Sequence, residues 1–462
     1  MNRALLALIV VVGCGPLITT AQLQNSNWHF GQGCSVSLTS GAPVVQSGSI
    51  MSANEGCAAL SDNNGNLLFY TNGRQVFNSA NAVMPGPLLA ASPISTQAAL
   101  IVQHPGNSDQ YFLFTTDTWE FSPTDLRYSI VDMSLNGGLG GITPVVNVLV
   151  NPNIREQVAA TQHANGQDHW IVTHEANNQE FLAYRLTPQG LDTVPVISVL
   201  GMDYTGINRW GGLRFSSDCK TLAAVLGNSG GGDVVQIFDF DNATGNVFYP
   251  RTVATFADIP GAYSAEFSPT GTRLYVTGYN TAHVYQYDLN SSNIPSTAVD
   301  IAVGYPGTKC GLLLANDGKL YVGNPYSSYL DVVEYPEVLG TGCGFVNNAV
   351  TLSGSCGLAL PNQERPCMEI ISAAPASLPQ EAHVGVHPVP FTTTFTVEVR
   401  KQGLRKVGIR LFDSLGQLVA QQQHNAMGTL ETKVDPGPIP VGVYFLECKV
   451  DGTLTTRRVV KY

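Results

Sequence analysis

Ser264–Leu289 reads SAEFSPTGTRLYVTGYNTAHVYQYDL. It divides into three short apolar strands, SAEF, RLYVTGY and HVYQYDL, separated by the turn SPTG and a small polar loop. β-Branched and aromatic runs punctuated by Gly, Pro and Asn are the pattern of an antiparallel meander.

The opening frame of that stretch recurs. It appears as AALSDNNG from Ala58, ALIVQHPG from Ala99, AATQHANG from Ala159, GLRFSSDC from Gly212, LLLANDG after Gly311 and GLALPNQE from Gly357. The frames start 41, 60, 53, 52, 47 and 46 residues apart. Each opens on Ala, Gly or Ser, and five close on Gly65, Gly106, Gly166, Gly271 and Gly318. Small residues suit an innermost strand where backbones crowd around an axis, and Gly supplies the positive φ of a tight hairpin. A WD40-like period of 40 to 50 residues with about four strands per unit predicts a β-propeller. The expectation is an all-β chain with seven blades, six being the alternative count.

The two ends of this region have opposite defects. Asn27–Ser49 holds strands but no opening frame, whereas Gly357 opens a frame that then runs into ERPCMEIISAAPASLPQEA. The N-terminal strands are therefore expected to complete the unit that Gly357–Leu360 begins, which closes the ring and hides its sheet edges.

The first residues have Arg3, an apolar run Ala4–Val12 and a small-residue exit. They read as a signal peptide, 1–21, cleaved between Ala21 and Gln22. Val11-Val12-Gly13-Cys14 offers lipidation at Cys14 as a competing reading. No later apolar run reaches the ~20 residues that a membrane-spanning helix needs. Only 12% of the 462 residues are charged, and 34 Asp and Glu against 23 Lys and Arg give a net charge of −11. That balance argues against nucleic acid or an anionic membrane as the partner, and ordinary surface acidity accounts for it. Removal of Cys14 leaves eight cysteines, an even number in an exported chain. Cys343 with Cys356 or with Cys367 is the most local bridge, and buried free thiols are the alternative.

The propeller is expected to span 22–372, a linker 373–384, and a small Ig-like β-sandwich 385–462. The last segment resembles the type A sorting domain of the type IX secretion system of Bacteroidota-type bacteria. The likeness rests on His387, Pro388, Pro390 and Phe391, the stretch Val407–Val419 with Gly416, Pro440–Tyr444 with Gly442 and Tyr444, and the closing Arg457–Lys461. Val389 departs from the motif, which usually has Asn there. The propeller stretches NWHFG, EGCAALSDNNGNLLFYTNG, YSIVDMSLNGGLG and HANGQDHWIVTH resemble exported cargo proteins of the same bacteria. The resemblance implies the type IX machinery as a partner and a destination in the medium or on the outer-membrane surface. It implies no ligand or activity.

Chemistry is harder to read. Asp62-Asn63-Asn64-Gly65-Asn66 is a turn in place of a calcium loop, because Leu67 sits where the loop needs Gly. His163, His169 and His174 with Asp168 and Glu175 are the densest set of ligand types, but strand spacing spreads them too far for a three-His site. No Ser/His/Asp spacing singles itself out, and phosphate-loop and dinucleotide motifs are absent. No catalytic residue, metal site or cofactor is predicted. The candidate site is a loop surface around Arg209 and Trp210, with Trp119 and Tyr326, since exposed aromatics beside polar groups stack on sugars or anchor proteins. The leading expectation is a non-catalytic secreted or surface binding protein for a glycan or protein. A polysaccharide hydrolase or lyase, and a structural envelope scaffold, are the alternatives.

Overall fold

The structure, a computed structural model, describes residues 20–462 apart from 119–123, 204–207, 229–231, 233, 256, 280, 368–382, 401–405, 414–415, 426–428 and 451–452. The chain divides into two compact units, Met1–Ile370 and Ile371–Tyr462.

The first unit is a β-propeller whose described strands form seven antiparallel sheets in chain order. Sheet 1 holds Asn27–Phe30, Cys34–Ser37 and Val44–Val45; sheet 2 holds Ala58–Ser61, Leu67–Thr71 and Val76–Asn78. Sheets 3 to 7 begin on the inner strands Ala99–Gln103, Ala159–Gln162, Leu213–Phe215, Ala262–Phe267 and Leu312–Leu314. Each then meanders outward through two or more further strands, such as Arg273–Gly278 and Val284–Asp288 in sheet 6. The repeated frame supplies these inner strands, and neighbouring inner strands touch around the ring.

That crowding explains the small residues. A Cβ on Gly56 would stand 2.2 Å from Ala98 N, inside any permitted contact. The apolar positions of the meanders pack between sheets; Phe267, Leu274 and Val276 join Val225, Val235 and Ile237 in one such layer.

Closure brings the two ends of the propeller sequence together. Trp28 and Phe30 share a buried cluster with Leu313, Tyr321, Val332 and Leu360. Gln32 and Ser355 form an antiparallel bridge. Gly357–Leu360 lies at the inner rim between sheets 7 and 2: a Cβ on Gly311 would come 2.8 Å from Leu360 N, and Leu358 N–H donates to Asn54 O at 2.7 Å. It differs from the expected opening strand in forming no ladder with sheet 1. The Leu358 N–H goes instead to Asn54, next to sheet 2.

Beyond Leu360 the chain does something the repeat does not predict. Pro361–Cys367 crosses the axis. Asn362 N–H donates to Cys57 O at 2.7 Å, Arg365 N–H donates to Ala160 O at 3.0 Å, and Cys367 is bonded to Cys219 after the inner strand of sheet 5. The disulfide is thus not the local one expected. Cys343 and Cys356 are buried thiols, as are Cys34, Cys57, Cys310 and Cys448. Cys343 precedes the outermost strand of sheet 7, Phe345–Thr351, while Cys367 lies at the axis, so closeness in sequence does not become closeness in space.

The second unit is a two-sheet sandwich. His383–His387, Phe395–Arg400 and Thr429–Val434 form one sheet; Leu418–Asn425, Lys406–Phe412, Gly442–Val450 and Thr453–Lys461 form the other. Alternate residues Val397, Val399, Ile409, Leu411, Leu446 and Cys448 fill its core, as period-two burial requires. Tyr444 sends its hydroxyl back to Pro440 O at 2.7 Å. Phe391 is buried against Phe395 and bridges to Lys461, which joins the HPVPF stretch to the closing strand. His387 ends the first strand, and Gly416 turns with φ +81.

Candidate functional site

The starts of the inner strands converge on one face of the ring, and there the structure forms a cavity of about 170 Å³. Glu55, Ile94, Thr118, Glu156, Trp210, Tyr263, Tyr279 and Leu358 line it. Trp210 belongs to the short strand Asn208–Trp210, which pairs beside Thr221–Asn228 ahead of the main inner strand of sheet 5. Its ring centroid lies 5.8 Å from that of Tyr279, and its Nε1–H donates to Ala262 O at 3.2 Å. Gly227 is small because a Cβ there would stand 1.8 Å from Trp210 Nε1.

Two carboxylates face the same space. Glu156 Oε2 accepts from Thr96 N and Thr96 Oγ1 at 2.8 and 2.9 Å, and its Oε1 accepts from Thr118 Oγ1 at 3.0 Å. Tyr263 donates its hydroxyl to Glu55 Oε2 at 3.1 Å. Burial first, and then the Glu55 carboxylate, push the Tyr263 phenol well above its ordinary range, so it remains a neutral donor. Sequence reading missed both acids because each lies just ahead of a repeated frame, in stretches of unequal length.

Of the four loop residues singled out from the sequence, Trp210 lines this cavity. Tyr326 is three-quarters exposed with φ +62, and its phenol is raised by partial burial and then by Tyr279 and Glu55. Arg209 is placed only as a backbone position in the same strand as Trp210, and Trp119 lies outside the described residues.

Residues 385–462 match the family described as a secretion system C-terminal sorting domain. The tail is an export signal. It directs this chain through type IX secretion to the cell surface or the medium. No curated protein matches the chain in sequence. Among solved structures, a presumed 6-phosphogluconolactonase of Bacteroides uniformis is 12% identical, with a TM-score of 0.47, over 72% of this chain and 98% of its own. The periplasmic gluconolactonase of Pseudomonas aeruginosa is 14% identical over 76% of this chain and 96% of its own, with a TM-score of 0.36. The β-propeller domain of Cps50 (Swd1) from Myceliophteria thermophila is 10% identical over 65% and 94%, with a TM-score of 0.37. All three scores fall below 0.5, and the fold rests on the chain's own sheets.

Of the histidines of sheet 4, His163 and His169 lie at the hairpin between its first two strands, and His174 at the other end of the strand His169–His174. His169 Nδ1 pairs with Glu364 of the crossing segment. His163 Nδ1 accepts from Asn165 N at 2.9 Å, while His174 Nδ1–H donates to Glu175 O at 2.7 Å and is fully buried. The three rings serve three separate contacts. The Asp62 loop is an Asx turn: Oδ1 accepts from Asn64 N and Asn66 N at 2.8 Å, with Gly65 at φ +82.

Inside the axis, Gln97 is the hub. Its Oε1 accepts from Val158 N and Leu213 N at 3.1 and 2.9 Å, and its Nε2 donates to Leu213 O and Asn362 Oδ1 at 3.0 and 3.3 Å. Glu266, fully buried, receives both Arg365 and Arg214. The axis is small-lined only where the inner strands open; deeper in, it is polar and ionic.

Proposed function

We propose that the exported propeller is a non-catalytic binding protein that holds one ring of a polar ligand, the end of a glycan chain, in the cavity walled by Trp210 and Tyr279. The observation that carries this reading is the pair of aromatic rings facing Glu55 and Glu156 across one small cavity. Aromatic faces take the apolar side of a sugar ring, and carboxylates accept its hydroxyl protons. The cavity is below the ~300–1,000 Å³ of drug-sized sites, which suits a single ring.

Two acids in one cavity also favour a second reading, hydrolysis of a polysaccharide by a carboxylate pair. Against it, both oxygens of Glu156 already accept hydrogen bonds that hold the Thr96 and Thr118 loops, while a general acid or base must exchange protons with substrate. The same reading includes a signal peptide at 1–21, a propeller of seven blades over 22–372, a linker at 373–384 and the sorting tail at 385–462.

The test is a glycan-binding screen of the secreted protein beside a reducing-end assay on the glycans retained. Retention that Trp210→Ala and Tyr279→Ala each abolish, without release of reducing ends, is the expected result. Retention unchanged in both variants would overturn the site. Release of reducing ends that Glu55→Gln abolishes would replace binding by hydrolysis.

A further inference from the structure

Pro361–Cys367 ties together five sheets of the ring. From Cys57 beside sheet 2 it passes Gln97 of sheet 3, then Ala160, Thr161 and His169 of sheet 4, reaches Glu266 of sheet 6 through Arg365, and ends on Cys219 of sheet 5. The two sulfurs sit differently. Cys219 is fully buried and holds φ +59 in a turn closed by its own N–H to Ser216 O. A left-handed conformation costs a side chain with a Cβ, and what the position gains from Cys is the bond. Cys367 is half-buried and lines an open cleft of about 670 Å³ on the strand-end face, together with Gln103, His104, Gln162 and His169.

We propose that Pro361–Cys367 is a latch across the propeller axis that seats by non-covalent contacts and is locked by disulfide exchange entering through Cys367. In the reducing cytoplasm both cysteines are thiols; the tail takes the chain to compartments where disulfides persist. The co-reactant is a disulfide oxidant, small or protein-borne. The Cys367 thiolate, open to the cleft, attacks one sulfur of that disulfide; a mixed disulfide forms and one oxidant thiol leaves. The Cys219 thiolate then attacks Cys367 Sγ, the intramolecular bond forms, and the second oxidant thiol leaves. Two electrons pass to the oxidant, and the two protons lost by Cys367 and Cys219 balance those its thiols take up. Reduction runs the same steps backwards, with the reductant entering at Cys367 because Cys219 is enclosed.

Locked, the latch keeps Asn362 and Arg365 on their partners; unlocked, it opens without unfolding the ring. Hydrogen exchange on the folded full chain, with and without a dithiol reductant, tests this. Reduction should speed exchange in the peptide covering Pro361–Cys367 by ~tenfold or more, while Leu320–Gly323 and Arg273–Gly278 keep their protection. Reoxidation should reverse the change, and Cys367→Ser should reproduce it without reductant. Should the serine variant fail to fold, the wild-type pair of measurements still decides. Unchanged protection of the segment on reduction would overturn the latch, since seating alone would then hold it. A parallel loss of protection in all sheets would overturn it too, because the bond would then be a brace of the whole ring.

Discussion

Arg365 and Glu266 are 99 residues apart in sequence, yet Arg365 Nη2 lies 2.8 and 2.9 Å from the two carboxylate oxygens of Glu266. Arg214 Nε approaches the same carboxylate at 3.4 Å. One acid therefore pairs with two arginines in the middle of the ring, and burial pulls the Arg214 pKa down.

Glu266→Gln should be among the most damaging polar substitutions. It leaves two buried guanidinium groups without a counter-charge, a loss of about 3–5 kcal/mol. Arg410→Gln, which breaks the exposed pair with Glu447, should cost only about 0–1 kcal/mol. Urea midpoints of the two variants check the contrast, and equal midpoints would show that the buried cluster contributes nothing special.

Trp28 closes the ring from the first sheet, meeting Tyr321 of sheet 7 edge to face at 5.3 Å between ring centroids. Trp28→Ala empties a fully buried site and should cost about 3–5 kcal/mol. An equivalent loss from an exposed aromatic, Tyr326→Ala, is not expected, so the pair of melting temperatures should separate clearly.

The propeller was legible because its grammar is local: small residue, apolar strand, glycine turn. The sandwich was legible for the same reason, through alternation in Val407–Val419 and Gly442–Val450. The crossing of Pro361–Cys367 was not, because PNQERPC carries no periodicity and its partners, Cys57, Ala160, Glu266 and Cys219, come from different units of the repeat. The cavity was half legible. Trp210 stood out as an unusual loop aromatic, whereas Glu55 and Glu156 look like ordinary surface acids until the ring brings the strand starts together. Because Trp210 bonds to Ala262 O and packs on Tyr279, its substitution also costs some stability.

Acid should weaken the propeller before its carboxylates titrate. Burial lowers His29 to about 4, and His174 lies lower still for the same reason. Each is raised to its ordinary value on unfolding, so the unfolded chain binds more protons below pH ~6.5 and stability falls as pH drops from there. At pH 5 the loss is roughly 2 kcal/mol per histidine. His169 works in the opposite direction. Burial opposes its proton, but Glu364 outweighs burial and raises the pKa, so its contribution is complete at low pH and fades as pH rises through the folded value. Urea midpoints at pH 7 and pH 5 should therefore drop for the wild type and drop less for His29→Gln, which removes one of the two buried rings. No change with pH would contradict the burial of both rings.

Deleting 385–462 should leave the propeller folded and keep it inside the cell envelope. The two units have separate hydrophobic cores, and the disulfide Cys219–Cys367 belongs wholly to the first. Fractionation of cells expressing the truncated chain should find it in the periplasm with an unchanged melting temperature for the propeller transition. Appearance of the truncated chain at the surface or in the medium would mean that the tail is not the address.

Gly227→Ala is the sharpest test of the cavity, because it alters no group that touches a ligand. Its added methyl would overlap Trp210 Nε1 at 1.8 Å and approach Ala262 O at 2.4 Å, the acceptor that fixes the indole. The ring must swing away, taking one aromatic wall from the cavity and leaving Ala262 O without that donor. Binding of the glycan end should fall at least ~tenfold, in line with loss of a stacking contact worth about 1.4 kcal/mol or more. Trp210→Phe separates the two effects: it removes the N–H but keeps a smaller aromatic face in place, so it should retain more binding than Gly227→Ala does. If Gly227→Ala binds as wild type while Trp210 fluorescence reports a moved indole, the aromatic wall is not part of the site.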